Sequence, residues 1–110
     1  MVYTGERNMQ FLMIPENLFS DERYAGLCIE AKLLYALMLD RLSLSEKNGW
    51  RDERGVYVYF TRTEAAKLLR VSERSISRYL TELKKTELIK TKRQEVGSPL
   101  IIYPKKCQGE

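Results

Sequence analysis

Residues 72–85 read SERSISRYLTELKK, and the prediction of the fold starts from this stretch. Ser72 is a typical N-cap residue, because its hydroxyl can accept a free amide of the first helical turn. Behind it, four apolar residues stand at offsets of 0, 3, 4 and 7: Ile76, Tyr79, Leu80 and Leu83. At about 100° per residue these offsets fall on one side of a helix. The pattern predicts an amphipathic helix that packs its apolar side into a core.

The opposite side of this helix carries cations and hydroxyl groups. The residues that lie opposite the apolar side, or flank that position, are Arg74, Ser77, Arg78, Thr81, Lys84 and Lys85. Two acidic residues, Glu73 and Glu82, fall away from the centre of this stripe. An ordinary solvated helix mixes both signs on its outer face. The stripe therefore predicts a DNA-binding surface; the alternative is an exposed basic helix with no ligand.

The two ends of the stripe suit different parts of a DNA duplex. Arginine can form a bidentate pair with guanine, and the N-terminal residues of a recognition helix reach the base edges first. We therefore expect base contacts from Arg74, Ser77, Arg78 and Thr81. Lys84 and Lys85 are expected to meet phosphates, which position a protein without reading the sequence.

A second, shorter helix is predicted directly before this one. Residues 61–64, Thr-Arg-Thr-Glu, form a capping box in which the Thr61 hydroxyl and the Glu64 carboxylate satisfy free amides of the first turn. Ala65, Leu68 and Leu69 are expected to form its apolar side, and Val71 ends the pattern. Two helices joined by a short turn predict a helix-turn-helix. Thr61, Arg62 and Ser72, at the starts of the two helices, are assigned to phosphate contacts.

Strands are predicted on both sides of the two helices. Val56–Phe60 is rich in β-branched and aromatic residues, which favours a strand. Leu88–Arg93 and Leu100–Tyr103, separated by a turn with Gly97 and Pro99, predict a hairpin. The order strand, helix, turn, helix, hairpin is typical of a winged helix-turn-helix. We therefore predict an α+β fold, mainly helical, with a small antiparallel sheet.

The predicted wing is also basic. Lys90 and Lys92 share one face of their strand by alternation, and with Arg93 they are assigned to phosphate contacts. The alternative is a charged edge strand that only prevents aggregation. Tyr57 and Tyr59 share a strand face as well, and because the motifs of single-strand readers are absent, we expect them to pack in the core or at an interface.

The N-terminal half contains one long predicted helix. Ile29–Leu44 has apolar residues at helical spacing on a wide surface, so the helix is expected to be central in the domain or partly at an interface. Residues 16–28 predict short turns or a small helix, and the apolar stretch Phe11–Pro15 predicts an extended arm or an edge strand. The predicted organisation is a flexible arm at 1–10, the winged domain at 11–104 and a polar tail at 105–110.

The composition and charge distribution of the chain narrow the classes of function to consider. A chain of 110 residues with 44% hydrophobic and 31% charged residues fits one globular domain. Residues 1–60 carry seven Lys or Arg and nine Asp or Glu, whereas residues 61–106 carry twelve and five. This basic C-terminal half is typical of a DNA-binding protein.

Cysteine usage and the absence of histidine exclude several kinds of site. The chain has two cysteines and no histidine, so zinc and a Cys–His nucleophile pair are not expected. Cys28 is predicted to be a small core residue. We expect no metal, no cofactor, no small-molecule substrate and no enzyme activity. No apolar run is long enough to cross a membrane and no signal peptide is evident, so we expect a cytoplasmic protein with no membrane partner.

Three further stretches carry a resemblance to a known family. Residues 31–41 (AKLLYALMLDR), 47–50 (KNGW) and 56–61 (VYVYFT) resemble the N-terminal domain of the replication initiator protein A family, which comprises plasmid and mobile-element initiators of Gram-positive bacteria. The resemblance covers about residues 11–103. The recognition-helix sequence resembles winged helices in general more than this family, so the family's target sequence cannot be transferred to it.

The resemblance implies a function and an assembly. Family members bind repeated double-stranded origin sites, or iterons, through a winged helix-turn-helix, as homodimers, and carry a separate C-terminal region. Matched onto this chain, the reading helix is Ser72–Lys85 and the wing is Ile89–Tyr103. The dimer contact is expected at Phe11, Leu12 and Ile14, with the helix Ile29–Leu44 beside it. The chain would then be a fragment of an initiator or a short stand-alone homologue.

Two alternatives use the same fold. A transcriptional regulator would also bind duplex DNA, but its sites would lie at a promoter rather than at a replication origin. A winged helix used for protein–protein interaction would keep its main affinity in the variants Arg74→Ala and Arg78→Ala.

Overall fold

Regular structure follows the predicted order along the chain. The computed structural model describes residues 12–92 and 100–105. The elements are α1 (Asn17–Ser20), a 3-10 turn (Glu22–Tyr24), α2 (Ile29–Lys47), β1 (Arg51–Asp52), β2 (Gly55–Val56), β3 (Val58–Phe60), α3 (Arg62–Leu69), α4 (Glu73–Lys85), β4 (Ile89–Lys92) and β5 (Leu100–Pro104). A strand, two helices and a hairpin in this order confirm the predicted winged helix-turn-helix. Two residues assigned to contacts, Phe11 and Arg93, lie outside the described residues.

The core is built around α2. Its residues Ala31, Leu34, Tyr35 and Met38 are fully buried, as the wide apolar surface predicts. The Tyr35 hydroxyl donates to the Lys105 backbone carbonyl and so ties α2 to the end of β5. Cys28, at the N-cap position, is half-buried against the core. No helix in the described part of the chain is long and apolar enough to cross a membrane.

The helix α2 runs about one turn beyond its predicted end at Leu44. The Asn48 amide donates to the Leu44 carbonyl at 3.0 Å, and the side chain of Ser45 is 1% exposed. The extra turn is therefore held by a buried face and by its own backbone bonds. Because the last three residues of the helix, Ser45, Glu46 and Lys47, are polar or charged, the apolar pattern in the sequence ends before the helix does.

The predicted strand Val56–Phe60 is wrong as a single element. It divides at Tyr57 into β2 and β3, which belong to different sheets. The strands β1 and β2 form a small antiparallel hairpin, and directly after its turn Gly55, the first residue of β2, has φ +125°, a conformation that glycine adopts without strain. The Tyr57 amide still donates to the Trp50 carbonyl at 3.1 Å, so the chain passes directly from one sheet into the other.

The wing is the hairpin of β4 and β5, and β5 is the central strand. The strand order is β3–β5–β4, and both pairs are antiparallel. Ile89 pairs with Pro104 and Lys92 with Ile101. Ile89 and Ile102 belong to the buried core, whereas Lys90 and Lys92 are exposed. This alternation places the two lysines on one outward face, as predicted.

The segment before α1 has no regular secondary structure in its described part, residues 12–15. This agrees with an extended arm rather than an edge strand. Met13 is 83% exposed, and Leu12 and Ile14 are 36% and 37% exposed. Behind this segment, Leu18 and Tyr24 are fully buried. They anchor the short helical turns to the core.

Candidate nucleic-acid interface

The helix α4 begins and ends at the predicted residues. The Ser72 hydroxyl accepts the Ser75 amide at 3.1 Å and caps the helix. The predicted apolar side is buried, with exposed fractions of at most 5% at Ile76, Tyr79, Leu80 and Leu83. Burying one side of an amphipathic helix fixes its rotation, so the opposite side must face the solvent.

The opposite side presents the predicted cations. Arg74, Arg78, Thr81, Lys84 and Lys85 are all exposed. The Arg78 guanidinium lies 5.3 Å from the centroid of the Tyr79 ring, within cation–π range. The Thr81 hydroxyl donates to the Ser77 carbonyl at 3.1 Å, so it remains available as an acceptor. Among the described residues, Arg74 has no recorded hydrogen bond or ion pair.

Ser77 is placed differently from the rest of the stripe. It is half-buried, and its hydroxyl accepts the Nε–H of Arg62 at 2.8 Å. A second bond joins the same two helices, since the Thr63 hydroxyl donates to the Glu73 carboxylate at 3.0 Å. The structure therefore brings together Arg62 and Ser77, two residues that sequence reasoning assigned to separate roles. No sequence signal identifies this pair, because it depends on how α3 packs against α4.

The start of α3 shows the predicted capping box. The Thr61 hydroxyl accepts the Glu64 amide at 3.0 Å. The Glu64 carboxylate accepts a hydrogen bond from Arg41 at 2.6 Å. This bond is the largest cause of the lowered pKa of Glu64, and the Thr61 backbone amide lowers the pKa further. The hydroxyls of Thr61 and Ser72 thus already accept helix amides. Thr61 can offer a phosphate its hydroxyl hydrogen, whereas the hydroxyl of Ser72 already donates to that of Ser75 at 3.1 Å.

Arg41 is a residue that the sequence analysis missed. It lies on α2, and its guanidinium is 4.1 Å from the centroid of the Phe60 ring. It also donates to the Tyr59 carbonyl at 3.4 Å. Together with the bond to Glu64, these contacts hold the central helix against the start of α3. Arg41 therefore helps to orient the helix-turn-helix, although its side chain remains 31% exposed.

The turn between α3 and α4 explains one wrong assignment. Leu68, predicted on the apolar side of α3, is 52% exposed, whereas Ala66 is 9% exposed. The helix ends at Leu69, and the next residue, Arg70, has φ +58°. The Val71 amide then donates to the Ala66 carbonyl at 3.1 Å. This closure packs Leu69 and Val71 against the core and leaves Leu68 in solvent.

The cations of the wing lie beside the small hairpin. Lys90 lines a shallow cleft with Arg54 and Lys105. Lys92 is close enough to Asp52 to lower its pKa, although the largest cause is the hydrogen bond from the Tyr103 hydroxyl at 2.6 Å. Among the described residues, no recorded contact joins Lys90 or Lys92 to the cations of α4.

Four aromatic rings cover the outer face of the sheet. The ring centroids are 5.0 Å apart for Trp50 and Tyr59, 5.5 Å for Tyr57 and Tyr59, and 5.8 Å for Tyr57 and Tyr103. All three pairs meet edge to face, which is a favourable aromatic geometry. The rings thus stabilise one another and form a small secondary core. Within the described part of the chain, no cluster of three or more His, Cys, Asp or Glu side chains could hold a metal ion.

Comparison with known proteins agrees with this architecture. The chain is similar to solved structures described as "N-Terminal domain of DNA binding protein", "Structure of Rep-DNA complex" and "Structure of MDR initiator". Each similarity has a TM-score of 0.77 and 30% sequence identity, and covers 96% of this chain. The matches cover 83%, 84% and 86% of those chains, respectively.

Two sequence comparisons identify a similar protein and a matching family model. A "41 kDa protein" of Lactobacillus helveticus is 35% identical over 69 residues. That match covers 62% of this chain but only 20% of the relative, so the aligned region is a small part of that longer protein. A family model described as "Replication initiator protein A (RepA) N-terminus" matches residues 10–110. The chain therefore belongs to the replication initiator protein A N-terminus family.

Proposed function

We propose that this domain binds double-stranded DNA in a sequence-specific manner, with α4 in the major groove. Its targets are repeated origin sites, and it acts as the N-terminal DNA-binding domain of a plasmid or mobile-element replication initiator. Its role is binding rather than catalysis, and its place is the cytoplasm, where the target DNA is accessible. The family match and the solved Rep–DNA relative support this proposal.

One observation carries the proposal. The exposed side of α4 presents Arg74 and Arg78 near its start and Lys84 and Lys85 at its end. Its two acids lie away from the centre of this side: Glu73 accepts the Thr63 hydroxyl, and Glu82 is half-buried, with one carboxylate oxygen that is out of solvent and has no hydrogen-bond partner. Four exposed cations thus make the outward face predominantly positive from its first turn to its last, which suits the phosphate-lined walls of a major groove.

The proposed roles follow the position of each cation. Arg74 and Arg78 lie in the first two turns, where base edges are reached, and each can form a bidentate pair with guanine. Lys84 and Lys85 lie in the last turn and are proposed to contact phosphates, as are Lys90 and Lys92 of the wing. Thr81 is proposed to read a base as an acceptor, since its hydroxyl hydrogen is already used.

The proposed assembly is a homodimer. Leu12, Met13 and Ile14 expose apolar side chains ahead of α1, and Ile29 of α2 is 54% exposed. A second copy covering these side chains would remove apolar area from water, which favours association. Phe11, also proposed for this contact, lies outside the described residues.

Selection from a random pool of duplexes, at about 0.15 M salt, tests the proposed function. We expect a recovered motif, repeated where two copies bind together. Arg78→Ala should then lower affinity for that motif more than affinity for random DNA. Lys85→Ala should weaken both and reduce the salt slope by about one unit. Lys47→Ala, an exposed cation at the end of α2, is the control and should change neither.

The same measurements separate the alternatives. If Arg74→Ala and Arg78→Ala leave the main affinity of the protein intact, the winged helix serves a protein partner and the proposal is wrong. If the recovered motif lies at promoters and not at a replication origin, the domain is a transcriptional regulator. Sedimentation of the domain alone and with the motif tests the homodimer.

A further inference from the structure

We infer that Arg62 of α3 reads a guanine and that Ser77 of α4 acts through it, as a positioning residue rather than as a direct base contact. The sequence alone suggests a phosphate contact for Arg62 and a base contact for Ser77, so this assignment changes the role of each residue. It rests on the proposed function, because it requires the exposed face of α4 to lie in the major groove.

The first step is the geometry of the pair. The Arg62 Nε–H donates to the Ser77 hydroxyl at 2.8 Å across the two helices. Arg62 is exposed and Ser77 is half-buried. The guanidinium is therefore fixed by a side chain of the reading helix itself, rather than extending freely from α3. It adds a cation to α4 at the position of Ser77, three residues after Arg74 and one before Arg78, which are both exposed.

The second step concerns the atoms that remain free. A guanidinium has five N–H donors in one plane, and only the one on Nε is used here. Among the described residues, the two terminal nitrogens of Arg62 have no recorded partner. Together they form the end-on fork that matches the O6 and N7 acceptors of guanine. The bond to Ser77 thus leaves the base-reading edge of the guanidinium open.

The third step concerns Ser77. Its hydroxyl oxygen accepts the Arg62 donor, and its half-buried side chain is short. A long arginine held by that oxygen extends further from the helix than the serine does. Ser77 therefore contributes to reading by fixing the plane of Arg62. A neighbouring bond from Thr63 to Glu73 holds the start of α3 in the same register.

The experiment measures the affinity of each variant for the duplex recovered by selection and for every single base-pair substitution of it. The variants are Arg62→Ala, Arg62→Lys, Ser77→Ala and the double variant Arg62→Ala/Ser77→Ala. Arg62→Lys keeps the charge but lacks both Nε and the fork. Lys67→Ala, another exposed cation of α3, is the matched control. Circular dichroism and thermal unfolding verify that each variant is folded.

We expect the wild type to discriminate at one guanine-containing base pair by between about 5-fold and about 150-fold. All three single variants should lose discrimination at that same base pair and keep it elsewhere. The double variant should bind no worse than Arg62→Ala. A purely structural role for Ser77 would not remove discrimination at one base pair alone.

Three results would overturn the inference. Arg62→Ala could weaken all duplexes equally, which would make it a phosphate contact. Ser77→Ala could leave the profile unchanged, or its effect could add fully to that of Arg62→Ala. In each case the wild type still discriminates between duplexes, so the proposed function stands. If the wild type shows no sequence preference, both the proposed function and this inference are wrong.

Discussion

Asp52 and Tyr103 lie far apart in the sequence and share one hydrogen bond of 2.6 Å. This bond is the largest cause of the lowered pKa of Asp52, with the Arg54 amide next. The pKa of Tyr103 is raised, first by burial and then by its bond to Asp52. Each residue therefore makes folding stability depend on pH, but in opposite parts of the range.

We expect Asp52→Asn to reduce stability at neutral pH and to flatten its dependence on acid. Because the folded pKa of Asp52 lies below its unfolded value, the stabilisation is complete above about pH 4 and is lost as the pH falls through the folded pKa. Urea unfolding between about pH 3 and pH 7 measures this.

Tyr103→Phe should reduce the same acid dependence, because it deletes the largest cause of the lowered pKa of Asp52 and leaves the smaller contribution of the Arg54 amide. The variant should also lack the decrease in stability that the Tyr103 hydroxyl causes in the wild type at high pH. The raised pKa of Tyr103 stabilises the fold below about pH 10, and that contribution is lost as the pH rises through the folded pKa. Glu53→Gln, at an exposed carboxyl next to Asp52, is the control. An unchanged acid limb in both Asp52→Asn and Tyr103→Phe would contradict the role given to this bond.

At the scale of one element, α3 shows how a closing turn sets the rotation of a short helix. The capping hydroxyl of Thr61 fixes its start, and Arg70 in the left-handed region fixes its end. Between them, Ala65 and Ala66 face the core while Leu68 faces solvent. With only 8 residues, the helix has little freedom to turn Leu68 inward without breaking one of these ends.

We therefore expect Leu68→Gln and Leu69→Gln to differ, although the two leucines are adjacent. Leu68 is 52% exposed, so Leu68→Gln should change the free energy of unfolding by less than about 0.5 kcal/mol. Leu69 is half-buried against the core, so Leu69→Gln should cost about 1–2 kcal/mol. Urea unfolding of the two variants under the same conditions measures the two losses in the free energy of unfolding. Equal losses would show that Leu68 packs against the protein.

At the scale of the whole molecule, the helix-turn-helix is held by a contact between α3 and the central helix α2. Arg41 of α2 bonds to Glu64 of α3 at 2.6 Å, with side-chain exposures of 31% and 43%. The same guanidinium lies over the Phe60 ring. A pair this exposed contributes modestly to stability, but it links three elements that determine where α4 points.

We expect Glu64→Gln to lower the free energy of unfolding by about 0.5–1 kcal/mol, since the ion pair is partly solvated. Arg41→Ala should cost more, because it also removes the contact with Phe60. The double variant should lose less than the two single losses combined, and full additivity would mean that the two side chains do not interact. Exposed Lys47→Ala is the control for loss of a cation from α2.

Local patterns account for much of the fold. The bounds of α4, its cap at Ser72, its buried side and its cationic side all follow from residues within a few positions of one another, where helical period and capping chemistry act directly. The same reasoning fails where a pattern crosses a sheet boundary, as at Tyr57, or where a turn overrides it, as at Leu68. At Tyr57, pairing of β3 with the distant strand β5 outweighs the local preference. At Leu68, the turn that closes onto Ala66 does so.

Hydrogen bonds between side chains of different elements do not follow from local sequence patterns. Arg62 and Ser77 are 15 residues apart, Arg41 and Glu64 are 23 apart, and Asp52 and Tyr103 are 51 apart. Such pairs form only when the helices and strands have packed, because packing brings donor and acceptor to within about 3 Å. Periodicity in the chain thus establishes which helix faces outward and with what charge. Packing of the elements selects which of its side chains are free to meet a ligand and which are already bound to a neighbour.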